Sequence, residues 1–123
     1  MTAYRIQHRR LRVGPYRAHH KCKRLKGMCS YLDNRTWFDT GRWPIPQCDG
    51  ISPEVIEEDT WFGFKSKGQL INWFAEWSEK LHENGFVVAI YRNAEVLDEG
   101  RTQLAFRKKR ACKLVPIPEF IAA

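Results

Sequence analysis

Between Ser66 and Gly85 the chain carries a full set of instructions for one helix, and no other stretch restricts the fold as tightly. Ser66 and Gln69 have the spacing of a capping box. The serine oxygen accepts from the Gln69 amide, and the glutamine side chain turns back to the Ser66 amide. Leu70, Trp73, Phe74, Trp77 and Leu81 then recur at i, i+3, i+4, i+7 and i+11, with Lys67, Asn72, Glu76, Glu79, Lys80 and Glu83 mostly elsewhere. Asn84-Gly85 supplies a left-handed stop, and His82 in the last turn suits the negative end of the helix dipole. The spacing predicts one amphipathic helix over about 67–84, whose apolar stripe needs a surface to pack on.

Strand patterns supply that surface. "AYRIQHRRLRV", residues 3–13, sets Tyr4, Ile6, His8, Leu11 and Val13 to one side with charges between them, and Gly14-Pro15 ends it. "TWFGF" is a short aromatic strand, "FVVAIYR" a well-defined one directly after Gly85, and "RTQLAFRK" another. The last two are expected to pair as a hairpin, with a short extended piece at Val96-Leu97 in their connection. Residues 40–59, with Gly41, Pro44, Pro46, Gly50 and Pro53, form a structured loop. Within it Ser52-Pro53-Glu54 opens a short turn through Val55 to Glu58. "CSYLDNRTW" fits either a helix or a strand. Pro116 and Pro118 make the tail an extended edge segment. The expected fold is α+β, a single domain over 1–123: a mostly antiparallel sheet packed by one main helix.

Of the 123 residues, 43% are hydrophobic and 28% charged, a globular rather than a disordered balance. No apolar run nears the roughly 18 residues of a membrane span, and "MTAYRIQHRRLR" has no signal-peptide core, so the cytoplasm is the expected location. Cys22, Cys29, Cys48 and Cys112 contain no CxxC pair and read as free thiols. With His19 and His20 their gaps match no common zinc pattern, and no metal is expected.

Charge is strongly segregated. Residues 1–43 hold eleven Lys and Arg against two Asp and Glu, residues 44–100 four against eleven, and residues 101–123 six against one. Arg9, Arg10, Arg12, Arg17, Lys21, Lys23, Arg24 and Lys26 form one basic cluster, and Arg107, Lys108, Lys109 and Arg110 a second. Such clusters contact phosphates, and exposed rings stack on bases. Trp37 and Trp43, flanked by glycine, proline and arginine, are the rings expected at the surface, while Trp73, Phe74 and Trp77 belong to the core. Gly63, with Lys65 and Lys67 beside the positive end of the helix, makes a further corner suited to an anion. Glu57, Glu58 and Asp59 offer carboxylates and His8, His19, His20 and His82 imidazoles, but nothing orders them into a hydrolase motif. The partners that fit are a nucleic acid, a ribonucleoprotein or a host protein with an acidic surface, bound without a cofactor.

"YRIQH", "GPY", "FGFKSKGQLINWF", "GFVVAIY" and "QLAF", in this order, resemble a group of small phage and prophage proteins over most of the chain. That resemblance implies an accessory protein acting in the host cytoplasm, with an anti-defence role among those it suggests. The same order also resembles the ADP-ribosyltransferase fold. There Arg5 would contact the phosphates of NAD, Ser66 would brace the site, and Glu99 or Gln103 would orient the nicotinamide ribose. Where that family has a glutamate at its late strand this chain has Gln103, with Glu95 and Glu99 offset.

Overall fold

β1 (Ala3–His8) runs antiparallel to β3 (Phe86–Tyr91), from Ala3 opposite Tyr91 to His8 opposite Phe86, and β6 (Lys113–Pro116) takes the other edge of β3. A second sheet has the order β2 (Thr60–Gly63), β5 (Leu104–Arg107), β4 (Val96–Glu99), again antiparallel. The computed structural model describes residues 1–17, 22–38 and 43–123, without the side chains of 33–38. One isolated bridge joins the sheets: Tyr4 and Phe64 exchange both backbone hydrogen bonds, each at 2.8 Å. The fold is α+β, as the strand and helix patterns require.

The hairpin expected between "FVVAIYR" and "RTQLAFRK" does not form. Both edges of β3 are taken, by β1 and β6, and β5 turns back on β4 instead. The extended piece at Val96-Leu97 is a true strand four residues from β5, and closing so short a loop costs less entropy than a longer one. The tail does run along a sheet edge as β6, but only to Pro116. Pro118 then occupies the first turn of α4 (Ile117–Ala122), where its missing amide costs nothing.

The helix after Ser66 begins as the sequence predicts, with Ser66 Oγ accepting from the Gln69 amide at 3.2 Å. The reciprocal half of the box is absent, and Gln69 Oε1 is buried without a partner. The predicted 67–84 span is two helices, α2 (Lys67–Phe74) and α3 (Ser78–Glu83), joined by a tighter turn over Ala75–Trp77. Ser78 accounts for the break. Its hydroxyl donates back to the carbonyls of Phe74 and Ala75, at 3.1 and 3.2 Å, a contact that bends helices. The apolar stripe survives the bend, with Leu70, Trp73, Phe74 and Leu81 buried and Trp77 half-buried. Gly85, at φ +87°, is the predicted left-handed stop.

The stretch left open between helix and strand lies in α1 (Lys26–Phe38). Leu25, Met28, Cys29 and Leu32 recur at i, i+3, i+4 and i+7 and are all buried, a period hidden when the reading begins at Cys29. These residues, the α2–α3 stripe, Phe120 of α4, and Ile6, Phe86 and Val88 of the first sheet make one core cluster. A smaller cluster lies on the other sheet face, with Ala3, Ala89, Tyr91, Leu104 and Phe106 and the half-buried Trp61 against it. β1 is therefore covered on both faces, and its odd-numbered residues Ala3, Arg5 and Gln7 are as buried as Ile6 and His8.

β1 ends at His8 and not at Val13. His8 Nδ1 accepts from the amides of Arg10 and Leu11, each at 3.2 Å, and the Arg12 amide donates to the His8 carbonyl at 2.9 Å. Arg12 sits at φ 60°, so the chain reverses tightly there. Only a neutral imidazole can accept at Nδ1. Burial first, then the nearby charges of Arg9, Arg24 and Arg10, hold the His8 pKa below its ordinary 6.5. A depressed pKa on a base gives stability that is complete above 6.5 and is lost as pH falls through the folded value. Thermal melts from about pH 7 to pH 5 are expected to show that loss, and His8→Asn, whose amide oxygen can still cap the turn, should flatten it. Equal slopes for wild type and variant would remove His8 as the source.

Candidate functional site

Past the Tyr4–Phe64 bridge the two strands separate. A continued ladder would next pair Ile6 with Phe62, but Tyr4–Phe64 is the only bridge between β1 and β2 among the described residues. The gap opens into a cleft of about 1100 Å³. Arg5 and Ile6 of β1, residues 60–64, the turn after β1 and the segment after β5 all line it. Rings of Tyr16, Trp61 and Phe62, all half-buried, face it. Trp73 Nε1 donates to the Tyr16 hydroxyl at 2.9 Å and fixes that ring.

The two basic clusters, almost a hundred residues apart in sequence, meet here. Arg12 and Arg17 come from the first and Lys108, Lys109 and Arg110 from the second; all are exposed and all line the cleft. None of the five forms an ion pair with a described carboxylate, and among the described residues Glu58 is the one acidic residue in the lining. Lys108 Nζ lies 5.4 Å from the centroid of Trp61. Lys109 Nζ donates to the Arg92 carbonyl at 3.0 Å.

Arg5 lies deeper, at 8% exposure. Its Nη1 donates to Gln7 Oε1 at 2.8 Å and to the Arg12 carbonyl at 3.3 Å, and its guanidinium carbon sits 4.2 Å from the centre of the Trp61 ring. The Tyr91 hydroxyl donates to the same Gln7 oxygen. Burial brings the Arg5 pKa down to about 10, so the group stays charged at neutral pH. Its partners among the described residues are a neutral amide, a carbonyl, a phenol and a π face, with no carboxylate. Buried charges are ordinarily paired.

Other basic residues are placed elsewhere. Arg9 and Arg10 lie exposed in the turn, and Lys23, Arg24 and Lys26 are exposed where α1 begins, all outside the cleft lining. Arg107 is neutralised by Asp59 and Glu95, and Lys65 by Glu99 at 2.7 Å. Lys67 donates to the main-chain oxygen of Ala123 and lies over the Phe120 ring. The corner of Gly63, Lys65 and Lys67 is thus engaged by the protein itself. Lys21, His19, His20 and the Trp37 side chain fall outside the described residues. Trp43, expected at the surface, is 8% exposed and belongs to the same main core cluster as Leu25 and Met28, so apolar packing and not solvent surrounds it.

The four residues of the transferase resemblance are not gathered into one site. Arg5 and Gln103 line the cleft, Gln103 with its amide donating to the Pro44 carbonyl at 2.8 Å. Ser66 caps α2, and Glu99 is an exposed partner of Lys65. Among the described residues no three of His, Cys, Asp and Glu come together as a metal set, and no helix is long and apolar enough to cross a membrane. The four cysteines are separate thiols, with Cys29 donating to the Pro15 carbonyl.

Sequence reasoning missed Trp61 and Phe62 as cleft residues, and Arg5 entered only through a family likeness. The available signal was an arginine alternating with Ile6 on a strand. It reads as solvent-facing unless one knows that a second layer covers that face.

A family model described as Bacteriophage T4 Y00F protein matches residues 1–118. No curated protein and no solved structure matches the chain.

Proposed function

The chain belongs to the bacteriophage T4 Y00F protein family, and from that premise we propose that this phage accessory protein acts in the host cytoplasm by binding nucleic acid in the cleft between β1 and β2. The observation that carries this reading is the convergence of Arg12, Arg17, Lys108, Lys109 and Arg110 around half-buried aromatic rings, without described carboxylates to pair them. Solvated charge spread over a surface would have no reason to gather there. Cations that line a groove track a phosphate backbone, and rings beside them accept bases whatever the sequence. An anti-defence role would follow if the bound nucleic acid belongs to a host defence system.

The test is anisotropy of labelled oligonucleotides across a salt series. Wild type is expected to bind with log K falling steeply against log salt, and Lys108→Ala/Lys109→Ala/Arg110→Ala to bind about tenfold more weakly with a slope shallower by about 2. Arg9→Ala/Arg10→Ala, exposed but outside the lining, serves as the control of equal charge type. No binding at low salt, or equal losses in both variants, would remove the cleft as a nucleic-acid site. Capture from lysate that survives nuclease would point to an acidic protein instead.

A further inference from the structure

We infer that the floor of this cleft is a receptor for one phosphate of a single strand, with Arg5, backed by the Trp61 ring, as its ligand and the rings of Phe62 and Tyr16 as the stacking surface for the adjoining bases. The inference rests on the nucleic-acid reading and narrows it. A rim of lysines and arginines serves duplex and single strand alike, but a cation placed at the bottom of a recess does not. Arg5 is 8% exposed, and it lies behind the line where β1 and β2 part. A duplex carries its phosphates on a stiff convex surface, whereas a flexible strand can turn one phosphate inward and splay its bases onto flanking rings. At about 1100 Å³ the cleft has room for a short length of strand.

The state of Arg5 without ligand supports the same assignment. A buried guanidinium is normally matched by a carboxylate, and this one is held by Gln7, the Arg12 carbonyl and the face of Trp61. The hydrogen bonds to Gln7 and to the Arg12 carbonyl both come from Nη1, and the Tyr91 phenol is a further neutral partner. Gln7 is in turn tied to Tyr91, so the guanidinium is oriented before any ligand arrives. Planar bidentate recognition of phosphate needs an arginine held in this way.

The experiment compares a labelled fifteen-nucleotide thymidine strand with a blunt duplex of about equal length. Wild type is expected to prefer the single strand by about tenfold, and the preference to shrink in Arg5→Lys, which keeps the charge and loses the planar fork. Melting of the variant checks that it is folded. If Arg5→Lys does not fold, the side-chain Nε–Hε resonance of Arg5 in the wild-type protein answers the same question, since it should shift when the strand is added. Equal binding of strand and duplex would overturn the inference and leave the nucleic-acid reading standing. Absence of binding by either would take both down. An Arg5 signal moved by inorganic phosphate but not by the strand would assign the floor to a free anion, and that too would overturn it.

Discussion

Asp49→Ala is expected to cost about 3 kcal/mol, a large part of the roughly 5–15 kcal/mol that holds a domain of this size together. Asp49 is 1% exposed and sits at the end of a short helical turn, Pro46–Asp49. Its carboxylate accepts from the Thr102 amide at 2.9 Å and from the Gln103 amide at 2.7 Å, while its main-chain oxygen accepts from Arg101 at 2.9 Å. One side chain therefore replaces water for the β4–β5 turn and anchors the preceding loop to it. The backbones approach so closely that a Cβ on Gly100 would fall on Asp49 Oδ2. Truncation to alanine strands the buried Gln103 amide, at about 1–3 kcal/mol, and the part-buried Thr102 amide, at the lower end of that range. Urea unfolding of wild type and variant checks the figure, and a loss below about 0.5 kcal/mol would mean that water or a shifted turn satisfies those amides.

Gly63→Ala should follow closely, at about 2–3 kcal/mol, and for a different reason. A Cβ at this position would stand 2.7 Å from the Tyr4 carbonyl oxygen and 3.1 Å from the Phe106 ring. The first of these is backbone in the pair of hydrogen bonds that joins the two sheets, and it cannot move aside without breaking them. The glycine looked like a place for backbone to meet a ligand; the backbone it meets is that of β1. Because the bridge also sets where the strands part, oligonucleotide binding should weaken together with stability. A variant with unchanged melting and unchanged binding would show that β1 and β2 can shift apart freely, and would undo the account of how the cleft is opened.

Local signals were legible wherever one element answered only to itself. The Ser66 cap, the stripe of Leu70, Trp73, Phe74 and Leu81, the Gly85 stop and the Phe86–Tyr91 strand all depend on residues within one or two turns of each other. So does the turn at Ser52, whose oxygen accepts from the Glu54 amide, although it closes at Val55 rather than running to Glu58. The bend at Ser78 is also local, but a periodic stripe persists through a bend and so does not reveal it.

Charge segregation was legible as well, but not its meaning. Equal-looking cations divide into three fates: Arg107 and Lys65 are spent on carboxylates, Arg9, Arg10 and Lys23 face solvent outside the cleft, and Arg12, Arg17 and Lys108 to Arg110 converge. That division depends on which distant segment folds against which, so composition alone does not sort them. By itself the sequence determined the helix that α2 and α3 share, the individual strands, the α+β class and the existence of two basic clusters. The tertiary structure alone decided the pairing of β5 with β2 and β4, the burial of Trp43 and Arg5, and the bridge at Tyr4 and Phe64. Helix caps and periods act over a few residues, whereas strand partners and the second face of β1 are chosen by surfaces that exist only once the chain has closed on itself.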